Sequence, residues 1–266
     1  MAEPNLKRLM RSKGLKVSHS IFEFDTPGIG QIIATAAVDF AFLDMEHSGF
    51  GIADAKRIIA SLHGAGLPVL VRPPSDAYHH IARVLDVGAD GLMMPMVSSK
   101  AQAEAIVSRM KYPPQGGRGV ALGIAHDGYR PGPTDKKLAA ANRRTAFAAL
   151  IETAEGIDNV DAIASVKDVD CLWIGHFDLS TSLGIPGEFD HPTFTKAIAK
   201  VRRAANKHGK ALGRLVADAA DGKARFREGF EVLCYAGDIW VYQEALTAGV
   251  DALRDACASG KRSRRS

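Results

Sequence analysis

Short apolar runs recur along the chain, separated by Ala-rich stretches in which apolar residues return at helical spacing. Eight runs have strand character, at residues 17–24, 40–44, 68–72, 91–95, 147–152, 171–174, 211–216 and 231–235. Amphipathic segments at 52–63, 78–87, 100–111, 156–164, 192–208 and 219–228 lie between them, and 239–258 closes the chain. Repeated β-α units of this kind build parallel sheets, and eight in a chain of 266 residues predict a (β/α)8 TIM barrel. A doubly wound open sheet is the structural rival. No Gly-x-Gly-x-x-Gly follows the first strand, so a dinucleotide site is not supported.

Composition narrows the class. With 46% hydrophobic and 24% charged residues the chain reads as an ordinary globular protein. No apolar run approaches the ~18–20 residues of a membrane span, and no secretory pattern opens the chain, so a cytoplasmic protein without membrane partners is expected. Cys171, Cys234 and Cys257 have no metal-binding spacing. The net charge of +4 equals the four basic residues of the terminal Gly-Lys-Arg-Ser-Arg-Arg-Ser, leaving a neutral body. A nucleic-acid binder needs a basic face on the folded domain, so no nucleic-acid partner is expected. Residues 1–259 are read as one barrel domain and 260–266 as a basic, disordered tail.

Barrels of this type carry their chemistry where the strands end. Strand two ends in Asp44-Met-Glu46-His47, strand three in Arg72, strand five in Glu152, and strand six in Gly175-His176-Phe177-Asp178. Glu152 and Asp178 end adjacent strands, an arrangement that suits Mg²⁺ or a similar hard cation with sites left open for an α-keto acid. Asp178 also reads as a simple helix cap, and Arg72 as a surface ion pair. Arg72 could otherwise steady an enolate oxygen. His47, beside two acids, is the candidate general base, and Asp86 is a candidate to orient its second nitrogen. No lysine stands at a strand end, Lys100 coming nearest, so a Schiff-base route is disfavoured. The long connection from Tyr112 through Pro133 reads as a lid or a subunit-contact loop, since no Gly-Lys-Ser/Thr follows its glycines.

Several separated segments, in order and covering nearly the whole chain, resemble the HpcH/HpaI aldolases, which are related to the citrate lyase β subunit. They are Phe42-Leu-Asp-Met-Glu-His47, Val71-Arg-Pro73, Leu85-Asp-Val-Gly-Ala89, Met94-Pro-Met-Val97, Tyr112-Pro-Pro with Arg118-Gly119, Ile151-Glu-Thr153 and Ile174-Gly-His-Phe-Asp-Leu-Ser180. The resemblance implies a (β/α)8 barrel with a C-terminal helix exchanged between subunits, homodimers assembling further into hexamers, and a site for Mg²⁺, Mn²⁺ or Co²⁺. It implies Glu152 and Asp178 as metal ligands, Arg72 at the enolate, and His47 as the base or as the group that activates a metal-bound water, with Asp86 raising its basicity. The backbone amides of Phe177 and Asp178 would receive the pyruvate carboxylate, and Glu46 would hold metal-bound water. Three departures stand out. His176-Phe177 replaces the Pro-Ala/Ser of many members, Leu150 stands where some carry Gln, and strand one carries His19 and Glu23 where glycine and tryptophan are common. The Gly-His-Phe-Asp pattern leans toward the branch that resembles macrophomate synthase.

The expected activity is reversible cleavage of a 4-hydroxy-2-oxo acid into pyruvate and an aldehyde through a metal-bound pyruvate enolate. Oxaloacetate decarboxylation through the same enolate is the nearest rival. Acyl-CoA lyase chemistry lacks a basic groove for the CoA diphosphate, and a non-catalytic keto-acid-binding barrel is the alternative from another class.

Overall fold

The computed structural model describes residues 5–262. Its elements run α1 (Leu6–Arg11), β1 (Lys16–Ile21), α2 (Ile29–Ala34), β2 (Phe40–Asp44), α3 (Ile52–Gly64), β3 (Val69–Arg72), α4 (Tyr78–Asp86), β4 (Gly91–Met94), α5 (Lys100–Met110), α6 (Thr134–Arg144) and β5 (Ala146–Ile151). There follow α7 (Ala154–Asp158), α8 (Val160–Ala164), β6 (Cys171–Ile174), α9 (His176–Ser182), α10 (Pro192–His208), β7 (Ala211–Val216), α11 (Ala219–Arg227), β8 (Val232–Gly237) and α12 (Asp238–Arg262). The eight strands pair in parallel and in chain order, and β8 closes on β1, so the predicted barrel is the observed one.

Successive residues of a strand face opposite sides, and this alternation sorts the core into two shells. Phe40, Phe42, Leu70, Met93, Ala148, Leu150, Cys171, Trp173 and Cys234 fill the barrel interior, while the residues between them pack outward under the helices. The interior is graded in size: Gly213 leaves room for Trp173, whose ring carbon would lie 2.2 Å from an added Cβ. Leu6 and Met10 of α1, fully buried, belong to the same inner cluster and stop the barrel where its strands begin. Burying two such side chains contributes about 1.5–3 kcal/mol each.

The element ends have local causes. Ser99 caps α5 by accepting from the Gln102 amide, and α10 begins with Pro192 and stops at Gly209 in the left-handed region. Strand β1 ends at Ile21 because the amides of Phe22, Glu23 and Phe24 donate to the Asp238 carboxylate instead of a neighbouring strand. The helix expected at 156–164 is two, α7 and α8, meeting at Asn159. Helix α12 continues through Arg262, three residues into the segment read as a tail, and 263–266 lie outside the described residues. From Tyr242 to Ala258 every residue of α12 is exposed.

The long connection after α5 holds a short helical turn at Ala125–Asp127 and then α6. It leaves α5 at the barrel end where strands start and packs on α4, with the Gly119 amide on the Tyr78 hydroxyl and Arg118 on Asp86. None of its residues lines the cavity at the opposite end. Within a single chain the segment is therefore no lid over its own cavity, which leaves the subunit-contact reading. Among the described residues no helix is long and apolar enough to cross a membrane.

Candidate active site

Alternation along the strands decides which polar groups face the mouth. Asp44 follows Phe42 at an inward position of β2, Arg72 follows Leu70 on β3, Glu152 follows Leu150 just past β5, and Gly175 follows Trp173 just past β6. The β2–β3 register sets Asp44 opposite Arg72, and the two form a forked pair. Arg72 Nε donates to Asp44 Oδ1 at 3.0 Å and Nη2 donates to Oδ2. A third nitrogen, Nη1, reaches Glu46 Oε2 at 3.2 Å. Asp44 is fully buried, and its Oδ1 also accepts from the amides of Glu46 at 2.8 Å and His47 at 3.3 Å. One carboxylate thus fixes the arginine and the turn that carries Glu46 and His47. The sequence reading named Asp44 at the strand end without giving it this task; the signal was its inward parity with Phe42 and its register with Arg72.

Glu152 is 4% exposed and accepts the Met96 amide through Oε1 at 2.7 Å. Met96 adopts φ of +56°, a strained setting for a residue with a Cβ, which aims that amide. The second oxygen, Oε2, lies 2.4 Å from where a Cβ would stand on Gly175, so only glycine fits there. Asp178 sits in the first turn of α9, where Gly175 offers no side-chain cap and the leading amides have no partner within the helix. Phe177 is 64% exposed and packs with His176 and Phe189, at 4.6 and 5.3 Å between ring centroids.

These charges perturb one another. Burial pushes the Glu152 carboxyl up to about 7; the Met96 amide opposes the rise, and the carboxylates of Asp178 and Glu46 add to it. Burial also raises Glu46, against the pull of Arg72 and His47. For Arg72 burial works downward but is outweighed by its bonds to Asp44 and the charges of Asp44, Glu46 and Glu152, which leave it firmly protonated. His176 is driven down to about 4 by burial and the nearby Arg214, so it stands neutral.

Among the described residues no group of three His, Cys, Asp or Glu side chains has the geometry of a metal cage. Glu152 and Asp178 nevertheless fit a hard divalent cation. They are oxygen donors, their mutual repulsion is what a cation relieves, and such ions routinely complete their shell with water or substrate oxygens.

The structure brings His47, Arg72, Glu152, Phe177 and Asp178 onto one cavity of about 320 Å³. His47 is largely exposed, with Nε2 at 3.8 Å from Glu46 Oε2. Within the single chain Asp86 is not part of this group. It is the last residue of α4, at the end of the barrel where strands begin, and its carboxylate is taken by Arg118. Neither His19 nor Glu23 lines the cavity; His19 bonds the Tyr235 carbonyl through Nδ1 at 2.8 Å. Sequence reasoning missed the apolar half of the lining, Phe22, Phe42, Trp173, Leu215, Cys234 and Trp240.

Comparison with known proteins agrees with this geometry. The sequence model described as HpcH/HpaI aldolase/citrate lyase matches residues 24–242. A 5-keto-4-deoxy-D-glucarate aldolase of Shigella boydii serotype 18 is 32% identical over 224 residues, covering 84% of this chain and 86% of the relative. The crystal structure of an HpcH/HpaI aldolase from Desulfitobacterium hafniense DCB-2 superposes with a TM-score of 0.87 at 32% identity, over 94% of this chain and 96% of the other. Macrophomate synthase, 23% identical, shares the fold with a TM-score of 0.85 over 96% of this chain and 91% of its own. The chain belongs to the HpcH/HpaI aldolase/citrate lyase family and is a carbon–carbon lyase of the aldolase type.

Proposed function

We infer that this aldolase is metal-dependent and reversibly cleaves a 4-hydroxy-2-oxo acid into pyruvate and an aldehyde. The observation that carries the reading is the Asp44–Arg72–Glu46 array beside the buried Glu152 and the exposed Asp178 carboxylates, one fixed cation sharing a cavity with two oxygen donors suited to a hard metal. The relatives named 5-keto-4-deoxy-D-glucarate aldolase act on a molecule with the same keto, methylene and carbinol sequence, which favours this substrate class.

Glu152 and Asp178 would hold Mg²⁺, Mn²⁺ or Co²⁺, with Glu46 steadying a water on it. When bound, the ion supplies Lewis-acid polarisation of the 2-oxo acid. The unpaired amides at the start of α9, including Phe177 and Asp178, suit the substrate carboxylate. Arg72, already aligned by Asp44, donates to the 2-oxo oxygen as negative charge develops there. His47 lines the cavity with its imidazole open, and takes the proton of the 4-hydroxyl. The C3–C4 bond then breaks, its electron pair passes into the pyruvate enolate, and the aldehyde leaves. A proton delivered to C3 completes pyruvate. Reversal of these steps is aldol addition.

Proton NMR of pyruvate in D₂O tests the reading. Loss of the methyl signal that requires a divalent cation, and that Glu152→Gln and Asp178→Asn abolish, is the expected result. Full exchange after metal removal, or in both variants, would sink it.

The protein is further inferred to be a homo-oligomer built from dimers that exchange α12. The apolar side chains of Tyr242, Leu246, Val250 and Leu253 fall on one stripe of that helix and are all exposed in the single chain.

A further inference from the structure

The cavity is divided in two by chemistry. His47, Arg72, Glu152 and Asp178 come from the ends of β2, β3, β5 and β6 and occupy one side. The opposite wall comes from β7, β8 and the segments flanking β1 and opening α12, and it presents Leu215, Cys234, Phe22 and Trp240. Phe22 and Trp240 stand with ring centroids 5.1 Å apart, and the floor between the two sides is the stacked pair Phe42 and Trp173 at 6.3 Å. At the rim the His176 ring packs against Phe177 and Phe189, with centroids at 4.6 and 5.1 Å.

Among the described residues of the chain no cationic side chain lines this second wall. Arg72 is committed to Asp44 and Glu46. Arg214 lies on β7 next to Leu215, but alternation turns it outward: Gly213 and Leu215 take the inward positions, and Arg214 is 6% exposed beneath the helices. Among the described residues that line the cavity, the other basic side chains are His47 and His176. A carboxylate or a row of hydroxyls placed against Leu215, Cys234, Phe22 and Trp240 would lose its water without gaining partners, and the charge would suffer most.

Resting on the pyruvate aldolase reading, we propose that the acceptor half of the site takes a small, uncharged, apolar aldehyde, aliphatic or aromatic, and discriminates against carboxylated and polyhydroxylated ones. The keto acid fills the charged side. The remaining room is limited, because the whole cavity of about 320 Å³ equals only roughly ten water volumes. Leu215 is the specificity-determining position, since it faces inward on β7 across from the charged groups and bears no role in holding the keto acid.

The test uses the Mn²⁺-loaded enzyme with pyruvate and four acceptors: butanal, benzaldehyde, succinic semialdehyde and D-glyceraldehyde. Pyruvate methyl exchange in D₂O, measured first without any aldehyde, reports on the donor half alone. The expected result is exchange, with kcat/KM for butanal and benzaldehyde at least about tenfold above the other two, the scale that apolar pockets achieve. Leu215→Arg should move the ratio of succinic semialdehyde to butanal by at least about tenfold in favour of the acid. Exchange together with a preference for the carboxylated or hydroxylated acceptor overturns this proposal and leaves the aldolase reading standing. Absence of exchange overturns both. Should Leu215→Arg fail to fold, the wild-type ratios decide the matter alone.

Discussion

Asp44 shows how much one buried side chain can set. It holds two Arg72 nitrogens and, through one oxygen, the amides of Glu46 and His47. In Asp44→Asn an amide faces the guanidinium, one fork is lost, and a cation that is nearly buried is left short of its counter-charge. Removing one partner of such a pair costs about 3–5 kcal/mol of stability, and misaimed electrostatic donors cost about 10²–10³ in kcat. Thermal denaturation and pyruvate exchange on the same sample check both figures; an unchanged exchange rate would mean that Arg72 does not need its fork. Glu152 gives a prediction with a sign. Burial pushes its folded carboxyl up to about 7, above the ordinary glutamate value of 4.5, so in metal-free protein it favours the protonated form. That contribution is complete below pH about 4.5 and is lost as pH rises through about 7. In EDTA, Glu152→Gln is therefore expected to melt higher than wild type at pH 8 and alike at pH 4.5, a gap of a few kcal/mol at most. Added Mn²⁺ should reverse the order at pH 8. Because a proton competes for the ligand, metal affinity of the wild type should weaken toward tenfold per pH unit below 7, read by isothermal titration calorimetry.

At the scale of elements, the site depends on how closely β5 and β6 finish beside each other. Gly175 ends β6 with Glu152 Oε2 at 2.4 Å from its missing Cβ, so Gly175→Ala must push the carboxylate off the Met96 amide or displace the start of α9. The expected outcome is about 1–3 kcal/mol of lost stability, with metal affinity reduced more than tenfold, as supporting-contact losses around ligands produce. Wild-type metal affinity in that variant would show that Glu152 is free to move without consequence. The same scale explains what the sequence made legible. Strands β2, β6 and β7 and helix α10 are read to the residue, because their apolar runs are bounded by glycine, proline or charge and their period is unambiguous. Helix α1 is not, since its sequence Leu-Lys-Arg-Leu-Met-Arg looks like a solvated basic stretch. Its Lys7 is buried only because Asp168 and Asp170 accept it at 3.1 and 3.0 Å, over 160 residues away in the chain. Helix α6 hides behind the prolines and glycines that precede it. The strand-end residues of the site follow from local position alone, whereas the placement of Asp86 depends on which end of the barrel α4 finishes at, a property of the topology. The fork between Asp44 and Arg72 needs the β2–β3 register, which two separate strands do not announce.

Taken whole, the molecule closes its sheet but leaves one helix uncovered. Beyond Val241, α12 stands off the barrel, and Tyr242, Leu246, Val250 and Leu253 recur at the four-, four- and three-residue spacing that keeps one face of a helix apolar. A bare helix of this kind is marginal in water, since helices draw most of their stability from packing such a face. The same helix opens with Asp238 capping the end of β1 and with Trp240 against Phe22 in the cavity wall. A subunit that covered the stripe would therefore also steady the acceptor side of the site. Burying Leu246 and Leu253 from two copies is worth about 1.5–3 kcal/mol per side chain, so replacing both by Glu is expected to raise the dimer dissociation constant by more than about a thousandfold. Sedimentation velocity at micromolar concentration should find wild type as a dimer or a multiple of it and Leu246→Glu/Leu253→Glu as monomer, with circular dichroism showing helix loss confined to about one segment. Acceptor turnover should fall further in that variant than pyruvate exchange does, because the wall formed by Phe22 and Trp240 rests on α12 while Arg72, Glu152 and Asp178 rest on the barrel. A wild-type monomer would remove the subunit from this argument, and the stripe would then need another cover.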